Sequence, residues 1–165
     1  MKTLYQNPWF RVVQEGRYHY VVEENGHKGA AILPVVAGRD VLLLQVQRAA
    51  HRGDVLLEIP RGCADDGESS LQCARRELAE ETGYRVPPER LERLGRIRPN
   101  SAILASRVDL YLAHIDDGLE PVARDDEAVE VVRIPLTRLR AMLREGDIED
   151  SFTLAALALY FSRAE

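Results

Sequence analysis

The stretch from Gly62 to Tyr84, GCADDGESSLQCARRELAEETGY, constrains this chain more than any other. Leu71, Ala74 and Leu78 recur at spacings of three and four, the period of a helix with one buried stripe. Ser69 or Ser70 suits the N-cap, Glu68 stands near the positive end of the helix dipole, and Gly83 supplies the stop. On such a helix Glu77, Glu80 and Glu81 fall at i, i+3 and i+4 and share one face. Like charges at that spacing destabilise an isolated helix by about a few tenths of a kcal/mol per pair. A helix that needed only solubility would alternate Glu with Lys or Arg, so the pattern asks for a compensating cation. A hard divalent ion such as Mg²⁺ fits the demand, because it takes carboxylate oxygens, keeps several waters and bridges to phosphates.

Around this helix the chain reads as short strands. Phe10 to Gln14 and Tyr18 to Val22 are rich in β-formers and are punctuated by Gly16 and by Asn25-Gly26, a tight-turn dipeptide. Ala30 to Val36 and Val41 to Gln47 follow as apolar runs separated by Ala37 to Asp40, and Val55 to Ile59 ends at Pro60. Beyond the acidic helix, Arg107 to Ile115 and Val129 to Ile134 are predicted strands. Leu136 to Arg144 and Phe152 to Phe161 are predicted helices, the first ending near Gly146. Strands interrupted by one central helix and closed by C-terminal helices predict an α+β domain in α/β/α layers: a mixed sheet flanked by helices, with an N-terminal antiparallel strand pair. At 165 residues and 45% hydrophobic content, the chain is expected to form one domain over residues 1–165, with the N-terminal strands in about residues 1–27.

Charge narrows the partners. The net charge of -5 is a poor match to a long polyanion, so no nucleic-acid partner is expected, whereas a small phosphorylated ligand remains accessible through a bridging cation. No segment approaches the ~18 consecutive apolar residues of a spanning helix, and the N-terminus MKTLYQNPWF lacks the apolar core of a signal peptide. Cys63 and Cys73 lie ten residues apart with no second CxxC pair and read as reduced thiols. A cytoplasmic protein without a membrane partner is the expectation.

Taken alone, Arg-Arg-Glu-Leu-Ala-Glu-Glu describes an ordinary solvated helix. The wider spacing does not: Gly62, five residues, Glu68, seven residues, Arg76-Glu77-Leu78, one residue, Glu80-Glu81, one residue, Gly83 and then Tyr84. This resembles the Nudix box at each of its fixed charged and glycine positions, with Tyr84 where the family more often has an aliphatic residue. The resemblance implies a Nudix hydrolase that uses Mg²⁺ or Mn²⁺ to cleave a diphosphate bond. By it, Glu77 and Glu81 are metal ligands, with Glu80 contributing or orienting and the backbone carbonyl of Arg61 adding a ligand. Arg76 and Glu68 are supporting residues, the arginine holding a catalytic glutamate by charge-assisted hydrogen bonds. Gly62 and Gly83 bracket the unit for their backbone conformation. A carboxylate outside the box is needed to take a proton from water, and Glu127, in the acidic run Asp125 to Glu130, is the first choice for that base.

The likeness extends from about Pro8 to Phe161. Gln47-Arg48, Leu57-Glu58-Ile59-Pro60, Pro99, and Asp150-Ser151-Phe152-Thr153-Leu154 resemble the ADP-ribose and nucleoside-diphosphate-sugar pyrophosphatase branch. That branch implies Arg48, Glu58 and Arg61 as substrate contacts, a nucleotide sugar such as ADP-ribose as substrate, and a homodimer joined by the N-terminal strands. Two positions depart from it: Arg61 stands where the branch has a small residue, and Asn100-Ser101-Ala102-Ile103 lacks the expected glycine after Pro99. A non-hydrolytic regulator that binds a nucleotide sugar, or an enzyme acting on dinucleoside polyphosphates, GDP-mannose or capped RNA, are the alternatives.

Overall fold

Alternation of inward and outward side chains along a few short apolar strands dictates the architecture. The computed structural model describes residues 1–23, 29–122 and 130–163, with His51 described by its backbone alone. In chain order the elements begin with β1 (Lys2–Gln6), β2 (Phe10–Glu15), β3 (Tyr18–Glu23), β4 (Ala30–Val36) and β5 (Asp40–Gln47). Next come β6 (Val55–Glu58), β7 (Arg61–Gly62), α1 (Ser70–Thr82), β8 (Leu91–Ile97) and β9 (Val108–Ile115), and then β10 (Glu130–Pro135), α2 (Leu136–Glu145) and α3 (Ser151–Arg163).

The main sheet runs β10-β5-β4-β9-β8, with β4 and β9 parallel and the other pairs antiparallel. β4 is buried along its whole length, as expected of a strand covered on both faces. Its even and odd residues serve two cores. Ala31, Leu33 and Val35 join Leu43, Leu110 and Leu112 under Leu139 of α2 and Ala156, Leu157 and Phe161 of α3. Ala30, Ile32 and Val36 join Leu42, Tyr111 and Ala113 under Cys73, Ala74 and Leu78 of α1. The predicted α/β/α layering and mixed sheet are therefore present, and Tyr84 packs against the second core as its apolar body allows.

One irregularity positions the site. β4 and β5 pair only at Val35↔Val41 and Val36↔Asp40 before they part. Into the opening go β6, against the far end of β5, and β7, against the start of β4. Pro34 has no N–H to give a ladder, and it falls between the stretch of β4 paired with β7 and that paired with β5. The segment from Glu58 to Gly62 is thus wedged into a split sheet directly in front of α1.

The N-terminal expectation needs correction: β1, β2 and β3 form a three-stranded antiparallel sheet rather than a pair. β1 is exposed at every residue, so it carries no buried periodicity by which it could be recognised. β8 was equally unsignalled, because Leu94 is its only fully buried residue in a charged edge strand. The small sheet is tied to the main body through β3, where Val21 N donates to Ile103 O at 2.7 Å and Ala105 N donates to Val21 O at 2.9 Å. The predicted Asn25-Gly26 turn and the start of the last strand at Val129 lie outside the described residues. Among the described residues, no helix is long and apolar enough to cross a membrane.

Candidate active site

Helix α1 is fixed at both ends by its own sequence. Ser69 is the N-cap, its hydroxyl accepting from Gln72 N while the Gln72 side chain accepts from Ser69 N, and Gly83 closes the other end in the left-handed region at φ 79°. Cys73, Ala74 and Leu78 are fully buried against the sheet, which turns Glu77, Glu80 and Glu81 towards the β7 wedge.

The acids are not equivalent. Glu77 is buried, and burial pushes its carboxyl upward against the opposing pull of Arg76. Burial also drives Glu81, up to about 7, with the adjacent Glu77 charge adding to it and a hydrogen bond from Arg61 N at 2.9 Å working against it. Glu80 is more open and meets Arg76 at 2.9 Å. Gly62 explains its own identity: a Cβ there would lie 1.9 Å from Glu77 Oε1. Only glycine lets that carboxylate rest against the backbone.

Arg76 is the hub. It donates to Glu68, to Glu77 and Glu80 through one nitrogen at 2.8 and 2.9 Å, and to the Cys63 carbonyl at 2.8 Å. These partners, Glu68 first, hold the guanidinium charged. Glu68 in turn is held below the usual carboxylate range, chiefly by Arg76, and accepts from Asp65 N, which ties down the loop between β7 and α1. These are the two residues for which the sequence resemblance implies supporting roles.

Arg48, Glu58 and Arg61 also come together, but around one another. Glu58 is 2% exposed and accepts from Arg48 at 2.7 Å and Arg61 at 2.9 Å. Its burial, which alone would raise the pKa, is outweighed by those two guanidiniums. Arg61 further stacks over Phe152 at 4.6 Å from the ring centre, so it neither points to solvent nor stands free. Glu127 lies outside the described residues.

Several residues that sequence reasoning did not single out hold this arrangement. Thr153 of α3 accepts from Ile59 N at 2.9 Å while bonding Asp150, so α3 clamps the backbone just before the box. On β9, Asp109 receives Arg93, Arg96 and Ser70 and thereby anchors the start of α1. Thr153 and Asp150 sit in the Asp-Ser-Phe-Thr-Leu segment already noted as a motif. Asp109 offered no signal, being one acid in an apolar strand.

As the side chains stand, no three of the His, Cys, Asp and Glu groups among the described residues converge at metal-holding distance. Arg76 lies between Glu77 and Glu80, and Arg61 N holds Glu81. The donor set nevertheless fits a hard divalent ion. Two largely buried carboxyls, each pushed towards its neutral form, stand side by side against a backbone that only glycine permits. A cation between them would relieve both.

Comparison with known proteins gives a consistent picture. A model of the NUDIX domain matches residues 26–154. A GDP-mannose pyrophosphatase of Cronobacter sakazakii is 28% identical over 149 residues, covering 86% of this chain and 76% of that protein. Another, of Yersinia enterocolitica, is 33% identical over 106 residues, 62% of this chain and 54% of that one. A solved structure of an ADP compounds hydrolase shares the fold, with a TM-score of 0.75 at 23% identity, covering 98% of this chain and 89% of that chain.

Proposed function

The chain belongs to the NUDIX family and is an enzyme of the Nudix hydrolase type, and from that premise we propose that it cleaves the diphosphate of a nucleoside diphosphate sugar, releasing a nucleoside monophosphate and a sugar phosphate. ADP-ribose is the substrate the sequence motifs favour, and similarity to proteins named GDP-mannose pyrophosphatase supports GDP-mannose as a candidate beside it. The observation that carries the reading is the pair Glu77 and Glu81, packed against the Arg61–Gly62 backbone at the mouth of the split sheet.

Glu77 and Glu81, with Glu80 and the Arg61 carbonyl, would hold Mg²⁺ or Mn²⁺, which neutralises diphosphate oxygens and makes a bound water acidic. The chain's own groups do the rest. Arg76 keeps Glu77 and Glu80 aligned and would yield them when a stronger cation competes. Glu127 is proposed as the carboxylate that takes the proton from the attacking water. Arg48 is 44% exposed at its side chain and rests on Glu58, so it is placed to lend charge to a phosphate while Glu58 fixes its direction. The two thiols are free, in keeping with action in the reducing cytoplasm.

Purified protein should release monophosphate from ADP-ribose, GDP-mannose or ADP-glucose in the presence of Mg²⁺. Silence across that panel and dinucleoside polyphosphates would reject the reading. Binding of a nucleotide sugar without turnover would instead favour a regulator.

A further inference from the structure

Beside the acids lies a second feature, a cavity of about 270 Å³ lined by Pro99, Leu104, Val108 and Phe152 together with the charged side chains of Arg61 and Glu23. It is continuous with the site, since Gly62 lines it on one side and supports Glu77 on the other. The inference that follows rests on the reading that the substrate is a nucleoside diphosphate sugar. A diphosphate lying over Glu77 and Glu81 then sends one of its two ends into this cavity.

The lining decides which end. Apart from Glu23 and the Arg61 guanidinium, itself stacked on an aromatic ring, the side chains are apolar or a thiol. A sugar would bring several hydroxyls to a lining with only two charged side chains to bond them, and each one left unpaired costs free energy once desolvated. A flat heteroaromatic ring keeps its polar groups at its edge and gains a stacking surface on Arg61, which Phe152 backs.

Glu23 decides which ring. Glu23 is the one acidic side chain among the described residues of the lining, and Ser106, itself 4% exposed, donates its hydroxyl to Glu23 Oε2. That bond fixes the carboxylate at the end of β3 and leaves Oε1 and the second lone pair of Oε2 to accept. An ionised carboxylate accepts only, so it prefers an edge with two adjacent donors. Guanine presents such an edge in N1–H and its amino group. Adenine sets its amino group beside the lone pair of N1, and uracil flanks its single N–H with two carbonyls, so each would turn an acceptor towards the carboxylate. We propose that this cavity is a nucleobase subsite in which Arg61, backed by Phe152, stacks the ring and Glu23 selects guanine.

Binding and turnover test this separately. Titration calorimetry with GMP and AMP should give GMP at least about tenfold tighter. Glu23→Gln offers one acceptor and one donor, which complements adenine, so that variant should narrow the preference to below threefold or invert it, with GMP binding weakened, AMP binding no weaker than in the parent, and thermal stability held. Equal affinities in the parent protein, no GMP binding at all, or a preference unchanged by Glu23→Gln would overturn the assignment. Turnover of GDP-glucose against ADP-glucose, which share a sugar, should follow the same order. A protein that hydrolyses neither yet keeps the GMP preference would defeat the proposed reaction and leave the subsite standing, whereas hydrolysis of both at one rate with equal monophosphate affinities would do the reverse.

Discussion

Glu81, proposed as a metal ligand, carries a charge that works against the stability of the metal-free fold. Its folded pKa, about 7, lies above its ordinary value of 4.5, mainly through burial. The folded state therefore holds the proton longer than the unfolded state, and stability falls as pH rises from about 4.5 to about 7. Above that window the metal-free protein carries a buried charge it would do better without. Glu81→Gln is expected to stabilise the protein at pH 8 in the presence of a chelator by roughly 1 to 3 kcal/mol, a rise of about 2 to 12 °C in melting temperature. The same variant should lose turnover by about three orders of magnitude or more, and Mg²⁺ should stabilise it less than the parent. A variant that melts lower without metal, or turns over normally, contradicts the assignment. Gly62→Ala makes a complementary case, because its Cβ would meet Glu77 at 1.9 Å. The flexible carboxylate should swing aside, so circular dichroism is expected to report a folded protein while activity drops at least about a hundredfold.

At the scale of elements, α1 matters for where it is pinned. Its C-terminal half faces the wedge, and its start is anchored by Ser70, whose hydroxyl donates to Asp109 at 2.9 Å and meets the Tyr111 hydroxyl at 2.8 Å. Asp109 sits at about 2, since hydrogen bonds from Arg96, Arg93 and Ser70 outweigh the burial that would raise it. A depressed carboxylate contributes stability above its unfolded pKa and loses it on acidification, so the contribution is complete above about pH 4 and gone near about pH 2. Asp109→Asn is expected to cost about 1 to 3 kcal/mol at pH 7, the arginines being half exposed, and to flatten the acid limb of a stability-versus-pH curve below pH 4. An acid limb identical to that of the parent would remove Asp109 from this role. The contrast between α1 and its anchor marks what sequence can carry. The box glutamates, Arg76 and the bracketing glycines declared themselves because their spacing is local and periodic. The Arg48–Glu58–Arg61 cluster was visible only as three separate polar residues, since its closure depends on β6 and β7 entering the split between β4 and β5. Asp109 with Arg93 and Arg96, and Thr153 reaching Ile59, are bonds between distant strands and helices that no window of sequence contains.

On the scale of the whole molecule, the small N-terminal sheet is the part whose protomer environment looks unfinished. β1 is an edge strand exposed at every residue, and Leu4, Tyr5, Trp9 and Tyr18 of this sheet and its turns are 46, 55, 74 and 63% exposed. An open edge bearing large apolar side chains invites pairing with another chain. Self-association through this sheet into a homodimer is therefore the expected state, and sedimentation equilibrium at micromolar concentration should return twice the mass of the chain; a single-chain mass would refute it. Trp9→Glu tests the surface, because a side chain 74% exposed contributes little to the protomer's own core. The variant should sediment as a monomer while its far-ultraviolet circular dichroism is unchanged. Its kinetics carry the sharper consequence. β3 is bonded to Ile103 and Ala105 and ends at Glu23, so the sheet that would form the interface also forms one wall of the cavity beside the acids. Loosening the sheet should therefore raise KM several-fold with little change in kcat, since the helix proposed to hold the metal packs on a core that, among the described residues, includes none from the N-terminal strands.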